Sequence, residues 1–121
     1  MIYSFKDLRV WQLAHKLTLD VYRLSAKFPE KEKFGIVSQI RRSSSSVAAN
    51  IVEGHARKST KEFVQFLFQA RGSLAETIYF VILARDLGYI IEKESLYLQQ
   101  EYESLGKQLN ALITSLKNKN D

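Results

Sequence analysis

The chain contains no cysteine, a single proline and only five glycines among its 121 residues. The lack of cysteine excludes disulfides, thiolate chemistry and cysteine-based zinc sites. So few prolines and glycines leave little material for tight turns, which argues against a β-sandwich or barrel. No run of about 18 apolar residues occurs, so we expect no membrane-spanning helix and no membrane partner. The first residues do not resemble a signal peptide either, and we therefore expect a cytoplasmic protein.

Groups that could support catalysis or bind a metal are also scarce. The two histidines, His15 and His55, lie in different segments, and neither has a second ligand-like residue at metal-binding spacing. The serine run Ser43–Ser46 has no histidine or lysine base at a telling spacing. The Glu-x-x-His spacing of carboxylate metal sites in helical bundles is absent. We therefore expect no enzymatic activity, no cofactor and no metal.

Positive charge is in excess and is unevenly distributed. The net charge is +5, and residues 1–58 hold 11 Lys and Arg against 5 Asp and Glu. The remaining residues hold 7 and 8, which is a small negative excess. A basic half suits a polyanion or an acidic protein partner, whereas a charge that serves solubility alone is the alternative interpretation.

Apolar residues recur at spacings of three and four in four segments, which predicts helices over residues 5–27, 32–53, 59–87 and 93–117. Pro29 ends the first segment, and Gly54 and Gly88 are predicted to cap the ends of the second and third. Ser59, with Glu62 three residues later, marks the start of the third. The short connections place sequential helices antiparallel to each other. The expected fold is all-α, with residues 1–121 forming a single domain, an antiparallel up-down-up-down four-helix bundle.

Small residues inside two of these helices call for a physical explanation. A serine run is locally unfavourable in a helix, because each hydroxyl offers the backbone a competing hydrogen bond. Close helix–helix approach, where larger side chains would not fit, is the predicted reason for Ser43–Ser46. Gly72 and Ser73 interrupt the third helix half-way along, and we expect packing or a kink to require them.

The candidate binding residues are cationic, because guanidinium and ammonium groups bind phosphate without catalytic machinery. Phosphate or carboxylate binding and a solvated helix face are both open for Arg41 and Arg42. The aromatic residues interleaved with the cations favour the core: Tyr22, Phe63 and Phe66. The predicted nucleic-acid-binding set is Arg9, Lys16, Arg23, Arg41, Arg42, Arg57 and Lys58, with Lys61 adding to the same basic surface.

A polar cluster and one aromatic residue are candidates for structural or subunit contacts. Asn50 and Glu53 share a helix face and could tie the end of the second helix to a neighbouring helix or subunit, with a metal or acid–base site as the alternative. Trp11 is interpreted as a packing anchor or as a contact between subunits. Gly72 and Ser73 belong to the same structural set.

Several short motifs occur in a fixed order: Phe5–Gln12, Phe28-Pro29, Glu32–Gly35, Ser38–Arg42, Asn50–Gly54 with Arg57, Phe63, Gly72–Leu74 with Glu76, and Asp86–Tyr89. In this order they resemble the bacterial four-helix-bundle family of 23S rRNA intervening-sequence proteins. That family includes the accessory variability-determinant proteins of diversity-generating retroelements. The resemblance covers nearly the whole chain.

The resemblance implies a homopentamer of four-helix bundles, with a basic surface or channel, that associates with nucleic acid. In the retroelement branch it implies a reverse transcriptase and its template RNA as partners. It carries over no catalytic residues, and it matches Arg41, Arg42 and Arg57 to basic positions of the family. The function predicted from the sequence is a non-enzymatic oligomeric adaptor that binds the backbone of RNA or DNA. The alternative is a protein-interaction scaffold that docks an acidic partner on its basic face.

Overall fold

A computed structural model describes residues 4–119, which form four long helices and no strand. The helices are α1 (Arg9–Ser25), α2 (Ile36–His55), α3 (Thr60–Asp86) and α4 (Glu92–Lys117). Contacts run around the ring, from α1 to α2, α3, α4 and back to α1, and among the described residues no diagonal pair is in contact. The predicted antiparallel four-helix bundle is confirmed.

The first two helices begin later in the chain than predicted. A separate 3-10 turn, Phe5–Asp7, precedes α1, and Leu8 between them has extended backbone angles. A second 3-10 turn, Glu30–Glu32, follows the proline, and α2 starts only at Ile36. Side chains in a 3-10 turn repeat every three residues, so hydrophobic spacing alone does not separate such turns from the adjoining helix.

The apolar stripes predicted from the sequence form the core. On α4 the buried positions follow a seam of near-heptad spacing that includes Leu98, Leu105 and Ile113. Tyr102 lies fully buried in this seam, and burial raises the pKa of its hydroxyl. The core residues of the other helices include Leu17, Val21, Ile40, Val47, Ile51, Leu67, Leu74 and Val81. The bundle is therefore held together along its whole length by aliphatic contacts.

Two members of the serine run, Ser43 and Ser46, lie where α2 packs against α3, and Ser44 and Ser45 lie on the α1 side. Ser43 and Ser44 are fully buried, and Ser43 Oγ accepts a hydrogen bond of 2.9 Å from Thr77 Oγ1 on α3. One turn further along, Ser46 Oγ and Ser73 Oγ are 2.9 Å apart. Backbone carbonyls one turn earlier accept the hydroxyl hydrogen bonds of Ser43, Ser44 and Ser45, so burial leaves these groups satisfied. The prediction of close packing is confirmed.

Gly54 was wrongly predicted to cap the end of α2. The helix continues to His55, and Gly54 is a buried position on the α3-facing side. A Cβ atom at Gly54 would lie 2.7 Å from Phe66 Cβ and 2.9 Å from Phe63 Cδ1. The close approach of α3 therefore requires glycine at this position, and the glycine does not terminate α2.

Gly72 and Ser73 do not interrupt α3, which runs unbroken from Thr60 to Asp86. A Cβ atom at Gly72 would meet no atom within 4 Å, so packing inside the described bundle does not require this glycine. Ser73, in contrast, faces Ser46 across the helix pair. Gly88 has a φ of 81°, a left-handed conformation that favours glycine and ends α3 as predicted.

α3 is apolar beyond the face that it buries. By length and composition it could cross a membrane, although charged residues such as Arg71 and Glu76 hide this in the sequence. In the bundle it is a core helix packed between α2 and α4, yet only 28% of its most apolar 18-residue window is buried. Tyr79 is 56% exposed, and Phe80 is half-buried beside it. The outer side of α3 is thus partly apolar, around Tyr79 and Phe80.

The two glycines provide a matched test of the packing. Alanine has a higher helix propensity than glycine by about 1 kcal/mol, and Gly72→Ala should raise the free energy of unfolding by about that amount. Gly54→Ala should lower it, because forcing extra atoms into a packed contact costs about 1–3 kcal/mol. Urea unfolding at equal protein concentration measures both. A Gly54→Ala protein as stable as Gly72→Ala would contradict the close contact.

Candidate nucleic-acid interface

Arg41 is a structural cation within the described bundle. Its Nε donates to Ser25 Oγ at 2.8 Å and its Nη2 donates to the Tyr22 carbonyl at 3.1 Å. The guanidinium carbon lies 4.6 Å from the centre of the Tyr22 ring. Tyr22 is 42% exposed, so its predicted place in the core is wrong, and its ring forms a platform for Arg41. Arg41 therefore fastens α2 to the end of α1.

Arg42 points toward a different helix. Its Nη2 lies 2.5 Å from Glu76 Oε2 on α3, and Gln39 Oε1 accepts hydrogen bonds from the same guanidinium at 3.2 Å. The two adjacent arginines consequently diverge and do not form one binding site. A phosphate bound at Arg42 would have to compete with the Glu76 carboxylate.

Lys16 and Arg23 lie on the α1–α4 side, where they share one carboxylate. Arg23 is paired with Asp20, and the side chain of Asp20 is only 14% exposed. Tyr97 Oη on α4 donates to Asp20 at 3.0 Å and accepts from Lys16 Nζ at 2.7 Å. The hydrogen bond with Tyr97, aided by Asp20 and Glu101, raises the pKa of Lys16. The nearby carboxylates of Asp20 and Glu101 offset the positive charge of Lys16, and Asp20 also offsets that of Arg23.

The remaining predicted cations, Arg9, Arg57 and Lys58, lie at one end of the bundle. There α1 and α3 begin and α2 and α4 end. We call this the basic end and define it as residues 4–9, 53–62 and 117–119. Its seven cations are Lys6, Arg9, Arg57, Lys58, Lys61, Lys117 and Lys119, and its three carboxylates are Asp7, Glu53 and Glu62.

Among residues 4–119, the cations of the basic end form no ion pair. Every ion pair found among residues 4–119 lies in the middle of the bundle or at the opposite end. The opposite end, residues 23–33 and 85–94, holds six cations against five carboxylates. Uncompensated positive charge is thus concentrated on one end, where it would attract polyanions.

Asn50 belongs to the serine contact between α2 and α3. Its Nδ2 donates to the Ser46 carbonyl at 2.9 Å and to Ser46 Oγ at 3.1 Å, which holds the hydroxyl that faces Ser73. Glu53 is exposed on the outside of α2, and residues 4–119 contain no group of three His, Asp or Glu side chains arranged to hold a metal. Asn50 therefore ties α2 to α3 through Ser46.

Trp11 lines a groove of about 480 Å³ between α1 and α2. Its ring stacks on His15 at 5.0 Å between centres and meets Phe5 edge-on at 5.1 Å. The groove also contains Leu19, which is 45% exposed, and the small side chain of Ala49 on α2. Trp11 is half-buried within the subunit, and the groove beside it is an apolar surface.

The structure thus defines a class, that of small basic four-helix bundles. The model of the 23S rRNA-intervening sequence protein family matches residues 6–111, and the chain belongs to that family. A crystal structure of a protein of unknown function from the S23 ribosomal protein family of Bacteroides thetaiotaomicron has the same fold, with a TM-score of 0.77 and 24% identity. The match covers 86% of this chain and 97% of that one. No curated protein matches the sequence.

Arg41 and Arg42 should differ in their effect on stability. Arg41→Ala removes two hydrogen bonds and a cation–π contact, and should lower the free energy of unfolding by about 1–2 kcal/mol. Arg42→Ala removes an exposed ion pair that contributes about 0–1 kcal/mol. Urea unfolding of the two single variants measures the difference. Equal losses, or a larger loss for Arg42→Ala, would contradict the structural role of Arg41.

Proposed function

We propose that this protein is a non-enzymatic, oligomeric adaptor that binds the phosphate backbone of RNA or DNA through its basic end. The excess of positive charge at that end, seven cations against three carboxylates among residues 4–119, is the observation that carries the proposal. Lysine and arginine at such a surface bind phosphates without reading sequence, and their attraction falls steeply as salt rises. The family description, which names an rRNA intervening sequence, supports RNA as the partner. A cytoplasmic location fits this role.

We further propose that the subunits assemble into a homopentamer. The partly apolar outer side of α3 and the Trp11 groove are two surfaces that another copy could cover, and contacts of this kind stabilise oligomers. Assembly would repeat the basic end around a closed ring, so that several copies bind one strand together. In the retroelement setting, a reverse transcriptase and its template RNA are the partners that this arrangement suits.

The proposed function makes a joint prediction about mass and salt dependence. Light scattering should give about five times the monomer mass, and a labelled RNA should bind with an affinity that falls at least about tenfold between roughly 50 and 200 mM salt. A pentamer that does not bind RNA at low salt would contradict nucleic-acid binding. It would favour instead a scaffold that docks an acidic protein. A monomer would contradict the assembly.

A nuclease-treated pull-down separates the adaptor from the scaffold. A partner retained by RNA should be lost after nuclease, whereas a directly docked acidic protein should remain. The basic end, whose cations would also attract carboxylates, is the feature that favours such a protein contact. Retention of the same partner by nuclease-treated protein would therefore support the alternative.

A further inference from the structure

Three pockets on the described bundle differ in chemistry. The largest, about 570 Å³ between α1 and α4, mixes cations with the carboxylates of Asp20 and Glu94. The Trp11 groove has no charged lining residue. The third, about 350 Å³, lies at the basic end between the start of α3 and the end of α4. It alone of the three combines several cations with an aromatic wall and has no carboxylate among its described lining residues.

The lining of this third pocket is divided between charge and apolar surface. Lys61, Lys117 and Lys119 supply three ammonium groups, and Val64, Phe68 and Leu116 supply the apolar part. The remaining lining residues are Thr60 and Gln65. A ligand that fits must carry both negative charge and a flat apolar body.

The ring of Phe68 makes cation–π contacts with two basic side chains. Lys117 Nζ lies 5.6 Å and the Arg71 guanidinium carbon 4.9 Å from its centre. Arg71 is braced by a hydrogen bond of 2.8 Å to Asn110 on α4, whereas the ammonium of Lys117 is carried on a flexible four-carbon chain. A planar base can stack on Phe68 while Lys117 turns to a phosphate oxygen.

We infer that this pocket receives one unstacked nucleotide of a single strand, with its base against Phe68 and its phosphates at Lys61, Lys117 and Lys119. The inference rests on the proposed nucleic-acid binding and adds the location and the form of the ligand. A duplex keeps its base faces stacked and offers the pocket only phosphates, so single strands bind more tightly. An acidic peptide would satisfy the lysines but would leave the aromatic wall uncovered.

The test measures fluorescence anisotropy of a labelled single-stranded RNA and of a duplex of the same length. Lys61→Gln/Lys117→Gln should weaken single-strand binding about tenfold, because two phosphate contacts are lost. Phe68→Leu keeps apolar volume but removes the ring, and should weaken it about fivefold or more, with little effect on the duplex. Lys27→Gln/Lys93→Gln, which removes two lysines from the largest pocket at the opposite end, is the matched control and should bind normally. Circular dichroism melts confirm that each variant is folded.

The other outcomes distinguish a failure of the inferred nucleotide pocket from a failure of the proposed nucleic-acid binding. If the unmodified protein binds neither RNA, the proposed function fails and the pocket with it. If it binds RNA but the pocket variants match it, or the control loses as much, the pocket is overturned while nucleic-acid binding stands. If the lysine variant weakens binding and Phe68→Leu does not, contacts are with the backbone alone and the base pocket is wrong. Pocket-dependent binding of polyglutamate without RNA binding would assign the surface to an acidic protein.

Discussion

The close approach of α2 to α3 is the constraint on which the rest of the structure depends. It requires small side chains along one stripe of α2, at Ser43, Ser46 and Gly54. Hydroxyls in this stripe are bonded to a backbone carbonyl and to the facing Thr77 and Ser73, so burial does not leave them unsatisfied. At Gly54 even a methyl group would collide with α3. A helix pair this close fixes the rotation of both helices, and every side chain next to the stripe then has a set direction.

That fixed rotation separates the cations that contact other groups of the bundle from the cations of the basic end. Arg41 and Arg42 flank the stripe on opposite sides, so one is directed to α1 and the other to Glu76 on α3. Lys16 and Arg23 are likewise occupied by Asp20 on the α1–α4 side. Cations with neighbouring carboxylates contribute little to long-range attraction. Of the two ends of the described bundle, the basic end keeps the larger net positive charge, in part on Lys58, Lys61, Lys117 and Lys119, which lie outside the family motifs.

Hydrophobic period and turn residues predicted the four helices, their order and most of the core, because a 3.6-residue repeat survives in each segment. The close packing of the serines also followed from local chemistry. The role of Gly54 was missed, because a glycine near a helix end favours a cap unless the neighbouring helix is known. Asp20 and Tyr97 are 77 residues apart and meet only because α1 and α4 are adjacent. The sequence does not reveal which side chains on two adjacent helices will contact each other. Lys117 and Lys119 were missed as candidate site residues, because the sequence does not show that the end of α4 lies beside the start of α3.

Photo-crosslinking of the purified protein to thiouridine-containing RNA, read out by mass spectrometry, would test the central claim most directly. Crosslinks should concentrate in the peptides that contain residues 57–68 and 116–119, because these line the basic end and its pocket. Crosslinks centred on Trp11, Tyr22 or the Arg41–Arg42 pair would place the nucleic acid on the sides of the bundle instead. That result would contradict the account of where the binding charge lies.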